Sequence, residues 1–77
     1  MNEIVYLVGH SSYIRKAEDG KYKIRIYTRT GPIKVTIPEK LLPKPKTKIN
    51  NRLLCIEAVV KVNMANKEYF EALQILK

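Results

Sequence analysis

The most readable chemistry in this sequence lies between Lys21 and Arg29. Lys21, Lys23, Arg25, Tyr27 and Arg29 alternate with Tyr22, Ile24, Ile26 and Thr28. Successive side chains of an extended strand point to opposite faces. This spacing therefore gathers cations and one aromatic ring on one face and mostly apolar side chains on the other. Lys34 and Thr36 continue the polar face in the next alternating run, where Ile33, Val35 and Ile37 form the apolar set. A row of cations suits a phosphate backbone, and a ring set among them offers a base a surface to stack on. A merely solvated face normally mixes signs, and no acid occurs between Lys21 and Arg29. Tyr13, next to Arg15 and Lys16 along the chain, is a second stacking position. Lys44, Lys46 and Lys48 lie in the run Pro43-Lys44-Pro45-Lys46-Thr47-Lys48, flanked by Lys40 and Arg52. That loop reads either as a phosphate clamp or as a solubilising loop. Its proline stiffness favours the clamp, because less entropy is lost on binding.

Other chemistries find little material. The chain has one His, one Cys and one Asp. A Ser-His-Asp arrangement would need His10, Ser11 or Ser12, and Asp19, but adjacent residues on a strand face opposite ways. His10 reads as a surface or groove residue. No cluster of His, Cys and carboxylates has metal-ligand spacing, and Gly9, Gly20 and Gly31 are too scattered for a phosphate-cradling loop. The expectation is a binding protein without metal or cofactor, not an enzyme. Cys55, within Leu53-Leu54-Cys55-Ile56, reads as a buried structural thiol.

The elements that must position these residues are strands. Ile4-Val5-Tyr6-Leu7-Val8 is apolar and rich in β-branched residues, and continues through Gly9 towards Tyr13 and Ile14. A glycine inside such a pattern marks a bulge or bend. Glu18-Asp19-Gly20 is a turn signal. Tyr22 to Thr28 and Ile33 to Ile37, joined through Thr30-Gly31-Pro32, read as a hairpin with Tyr22 on its core side. Residues 38–51, with Pro38, Pro43 and Pro45, read as an extended basic loop. Leu54, Ile56, Ala58, Val60 and Val62 alternate in a further strand, and residues 63–67 form a short polar connection. Residues 68–77 fit either a helix, through Tyr69, Leu73 and Leu76, or a strand, with one of Tyr69 and Phe70 buried and one outward. A helix there would give a four-stranded sheet with a C-terminal helix. Five strands in so short a chain favour closure into a barrel, which buries one face and removes the edges.

Length and charge are consistent with this reading. Seventy-seven residues allow one domain spanning 1–77. The net charge is +8, and residues 20–52 hold ten basic residues against Glu39 alone. Charge concentrated in one block points to a contact surface for an anionic partner. No apolar run approaches the ~20 residues of a membrane span. The opening segment lacks the pattern of a signal peptide, and the lone cysteine suits a reducing interior. The expected location is the cytoplasm.

Several segments resemble the single-stranded DNA-binding protein family of OB-folds, including the primosomal protein N type. Asn2-Glu3-Ile4-Val5-Tyr6-Leu7-Val8-Gly9-His10 is similar to that family's opening strand. Glu18-Asp19-Gly20 with Tyr22-Lys23-Ile24-Arg25-Ile26-Tyr27-Thr28 looks like its first turn and second strand. Arg52-Leu53-Leu54-Cys55-Ile56-Glu57-Ala58-Val59-Val60 resembles the fourth strand, with Ala58 where the family often has Gly. Tyr69-Phe70-Glu71-Ala72-Leu73-Gln74-Ile75-Leu76 resembles the closing strand, and decides strand over helix for that segment.

The resemblance implies an all-β, five-stranded OB-fold Greek-key barrel. The basic proline loop then lies between strands three and four, in place of the family's helix. It implies sequence-tolerant binding of single-stranded DNA, with Tyr in place of the family's Trp, which this chain lacks. It also implies a homodimer or higher homo-oligomer, for which either Val5 and Leu7 or Tyr6 and Val8 would supply an apolar face. Two alternatives stay open: an RNA-binding OB module, and a protein-interaction subunit docking an acidic partner.

Overall fold

The computed structural model describes residues 3–76; Asn2 and Lys77 fall outside the described residues. Its strands are β1 (Ile4–Ser11), β2 (Arg15–Lys16), β3 (Tyr22–Thr28), β4 (Gly31–Ile37), β5 (Leu53–Val62) and β6 (Glu68–Ile75). Their hydrogen-bonded order is β1-β5-β6-β4-β3-β2, and a further β1–β3 pairing closes the sheet. Five strands thus form a closed mixed barrel, and the two-residue β2 flanks it. All the pairings are antiparallel except β4 with β6. The fold is all-β, with the connectivity of a small OB-like barrel. Residues 68–75 are strand, not helix.

Alternation explains the strand burial. Along β1, Leu7, Gly9 and Ser11 are buried while Ile4, Tyr6, Val8 and His10 are exposed. In β3 and β4, Ile24, Ile26, Val35 and Ile37 join Leu54, Ile56, Ala58 and Ala72 in one core cluster. Each large aliphatic side chain buried there contributes about 1.5–3 kcal/mol relative to exposure.

Barrel closure depends on β1 serving two partners. Its residues from Ile4 to His10 pair with β5, and His10 and Ser11 also pair with β3. At the crossing, a Cβ on Gly9 would run into the Tyr27 carbonyl and come within 2.9 Å of Ile26 Cγ2. The β1–β5 register runs through Gly9 unbroken, and the position needs a residue without a side chain because another backbone passes there. The strand ends at Ser11, earlier than the pattern suggested. Ser11 stops the strand run by tying it to the loop that leads into β5. Its amide donates to the Arg52 carbonyl at 2.8 Å. Its Oγ donates to the Ile49 carbonyl at 2.6 Å and accepts from the Arg52 amide at 3.0 Å.

The segment between β4 and β5 is not wholly extended. It contains two short 3-10 turns, Glu39–Leu41 and Lys46–Ile49. The second delivers Ile49 into the core, where it is 6% exposed. The loop is therefore anchored by Ile49 among its lysines, with Leu41 and Leu42 packed, partly buried, against the same core. Three core expectations need correction. Cys55 is half-buried on the outer side of β5, in register with Val8. Tyr22 is half-buried, with Lys46 Nζ at 4.9 Å and Lys16 Nζ at 5.7 Å from its ring centroid. Tyr69 and Phe70 are both half-buried: Phe70 packs against the core and Tyr69 meets Lys21, but neither is fully buried or fully outward.

Candidate functional site

The hairpin β3–β4 sets the register of the cationic face. Arg25 stands directly across from Lys34, Lys23 from Thr36, and Tyr27 from Pro32. On the other flank, β2 places Arg15 directly across from Lys23. Two like-charged pairs therefore sit side by side on adjacent ladders, an arrangement that costs stability in a free sheet. The only ion pair that reaches them among the described residues is Asp19 with Lys23 at 3.4 Å. An anion laid along this face relieves the repulsion that the fold leaves in place.

Local backbone bonds hold the flanking residues. The Lys21 amide donates to Asp19 Oδ1 at 2.9 Å, and the Ala17 amide to the Lys21 carbonyl at 2.8 Å. Gly20 turns this corner at φ 83°. That amide bond is the largest cause holding the Asp19 carboxyl below its usual range, ahead of the attraction of Lys23; partial desolvation opposes both. The Tyr13 segment is pinned from both sides. The Ser12 amide donates to the Arg25 carbonyl at 2.9 Å, and the Ile14 amide to Asn50 Oδ1 at 2.8 Å. Tyr13 itself is displayed with 68% of its surface exposed.

These residues line two neighbouring clefts. One, of about 390 Å³, is walled by Tyr13, Arg15, Lys23, Arg25 and Lys34. The other, of about 510 Å³, lies towards β6 and is walled by Lys21, Lys23, Lys34, Tyr69 and Phe70, with Asp19 and Glu68 at its polar side. Lys23 and Lys34 belong to both and form the ridge between them. The two clefts thus lie on either side of a β3–β4 ridge, on the second and third strands of the barrel.

The residues expected from sequence divide into three groups. Tyr13, Arg15, Lys23, Arg25 and Lys34 come together in the smaller cleft. Lys21 lies just before β3 and shares the larger cleft with Lys23 and Lys34, its Nζ 5.6 Å from the Tyr69 ring centroid. Tyr27 is on the cationic face but beyond both clefts, opposite His10 and Pro32. Arg29 falls in the turn after β3, not on the strand. Lys44 and Lys46 border a separate hollow with Leu42 and Pro43. Lys48 is exposed in the second 3-10 turn and lines neither cleft. Of the expected clamp lysines none lines either cleft, but Lys46 reaches β3 through the Tyr22 ring, over which Lys16 of the smaller cleft also lies. His10, Ser11 and Asp19 serve separate contacts: His10 Nε2 meets Asn51 Oδ1 at 3.0 Å.

Tyr69, Phe70 and Glu68 did not figure among the expected site residues. They reach the cleft because β6 pairs in parallel with β4, Val35 opposite Phe70 and Thr36 opposite Glu71. That neighbourhood is made by barrel closure and leaves no local pattern. The available signal was the Tyr69-Phe70 doublet itself. No protein-family model matches this sequence, and no curated protein matches it.

Proposed function

We propose that this protein binds single-stranded nucleic acid, DNA in the first instance, largely without regard to sequence, across the β2–β3–β4 face. The observation that carries the reading is the pair of like-charged ladders, Arg15–Lys23 and Arg25–Lys34, set between two clefts with Asp19 as the one ion-pair partner that reaches them among the described residues. Phosphates bind along the Lys23–Lys34 ridge, and bases turn into the flanking clefts. Tyr13 is the nearest exposed ring for stacking, and Tyr27 extends the platform. The sequence resemblance to the single-stranded DNA-binding OB-fold family supports the same reading, as does the barrel topology. RNA shares the phosphate and the stacking bases, so it is the alternative ligand.

An amide chemical-shift titration with a thymidine oligonucleotide tests this. Perturbations should centre on residues 13–27, 32–36 and 68–70. Perturbations confined to residues 43–48 or to β5 would reject the site.

The outer face of β1 and the start of β5 expose Ile4, Tyr6, Val8 and Leu53. Leu7 faces the core and Val5 packs against it, so Tyr6 and Val8 are the outward pair. We propose that a second copy covers this face, because it is poor in charge on a chain whose copies otherwise repel. Sedimentation equilibrium should show a dimer that Tyr6→Glu dissociates; a monomeric wild type would refute it. Among the described residues no helix is long and apolar enough to cross a membrane. A cytoplasmic setting is the proposed one.

A further inference from the structure

We propose that the larger cleft biases this otherwise sequence-tolerant face towards guanine at one position, through the Glu68 carboxylate. The inference rests on the same nucleic-acid reading and adds a base preference to it.

The cleft has the right walls for a base. At about 510 Å³ it falls within the ordinary range of small-ligand sites. Tyr69 and Phe70 supply flat apolar surface; both are half-buried, and Phe70 packs against the core. Lys21 lies over the Tyr69 ring in the free protein; it leaves the ring for a phosphate when a strand binds. Lys23 and Lys34 on the shared ridge hold the backbone at the cleft mouth.

The polar side of the cleft then decides which edge is welcome. Asp19 is already used by the Lys21 amide and by Lys23. Asn63 Oδ1 accepts from the amides of Ala65 at 2.9 Å and Lys67 at 3.0 Å. Glu68, at the start of β6, makes no ion pair or side-chain hydrogen bond among the described residues. A free carboxylate in a groove for a polyanion repels phosphate, so this spot belongs to a base. An ionised carboxylate only accepts hydrogen bonds. Guanine presents N1–H and the N2 amino group side by side, a match for both oxygens. Cytosine and adenine offer one amino group each. Thymine offers N3–H flanked by two carbonyl oxygens that the carboxylate repels. Single-stranded recognition commonly reads such unpaired base edges while stacking the ring.

The test is competition for a labelled thymidine oligomer of about eight nucleotides, within the span of one OB-fold. Competitors are unlabelled oligo-dT and the same oligomer with one central dG, dC or dA. With the wild-type chain the dG oligomer should compete best, by about fivefold or more over oligo-dT. In Glu68→Gln and Glu68→Ala that preference should vanish, and binding of oligo-dT should tighten because the repelling charge is gone. Equal competition by all four oligomers, or a dG preference that survives both substitutions, overturns the inference while leaving the binding face standing. Failure of every oligomer to bind overturns both.

Discussion

Exchanging Lys34 for glutamate should make the protein more stable and a poorer ligand for nucleic acid. Lys34 faces Arg25 across the β3–β4 ladder. Directly opposed residues have Cβ atoms about 5 Å apart, which puts the two charged heads roughly 7 Å apart. At that distance the Coulomb energy is about 0.6 kcal/mol in bulk water and larger near a protein surface, before screening by salt. Reversing one sign turns a repulsion of that order into an attraction of similar size. The net gain is about 1 kcal/mol, in keeping with measured cross-strand charge pairs. For a domain of this size that raises Tm by about 4–8 °C. Lys34→Gln should give about half the gain, since it removes the repulsion without adding an attraction.

Binding should move the other way. Lys34 stands on the ridge shared by both clefts, so its loss removes a phosphate contact and flattens the salt dependence by about 0.7 in log–log slope. Thermal melts followed by circular dichroism, and anisotropy titrations at several salt concentrations, read the two effects on the same samples. A Lys34→Glu protein that melts earlier, or binds a thymidine oligomer as tightly as wild type with the same slope, would refute the argument.

Other outcomes follow from the same geometry. Tyr13→Ala and Tyr27→Ala should each weaken binding by about 1–3 kcal/mol in titrations if the ring stacks on a base, and an unchanged affinity removes that ring from the site. Gly9→Ala should destabilise by at least about 1–3 kcal/mol in denaturant melts, because the new methyl meets the Tyr27 backbone; a neutral change would mean that the β1–β3 crossing is looser than described. Stability should also fall in strong alkali. The Tyr6 phenol is held above its usual 10.0, chiefly by its hydrogen bond to Glu57, and Lys61 above its usual 10.5, chiefly by its hydrogen bond to Glu71. A raised folded value means that the stabilising contribution is full below those usual values and is lost as pH rises through the folded ones. Glu71→Gln should therefore flatten the alkaline decline in melts, and a profile identical to wild type would contradict the Lys61 assignment.

Much of the barrel was readable where a local rule applied. The period-two pattern of Tyr22 to Thr28 located β3 and its outward face, because alternation follows from strand geometry alone. Gly9 was read as a bulge or bend, and the structure gives its reason as the close passage of the Tyr27 backbone. Residues 68–75 were ambiguous because Tyr69, Leu73 and Leu76 fit a helix face as well as a strand. Their strand state is set by pairing with β5 and β4, not by their own propensities. Ile49 was hidden among lysines and asparagines at the end of a loop read as basic and extended, and its position behind Ser11 makes it core. Arg15 came to Lys23 through a strand of two residues, too short to show periodicity. The larger cleft was invisible for a different reason. It joins β6 to β4 in parallel, and the sequence separation of those partners leaves no pattern in either segment. Lys44, Lys46 and Lys48 show the converse. Composition made them attractive, but none of them lines either cleft, and only Lys46 touches β3, through Tyr22.

The most direct measurement is the anisotropy of a labelled single-stranded DNA oligomer titrated with the protein at low and high salt, with matched duplex DNA and RNA as competitors. The account predicts binding at low salt that weakens steeply as salt rises, and displacement by single strands but not by duplex. No binding at low salt, or an affinity indifferent to salt, would contradict it and turn the cationic ladders into a docking surface for an acidic protein.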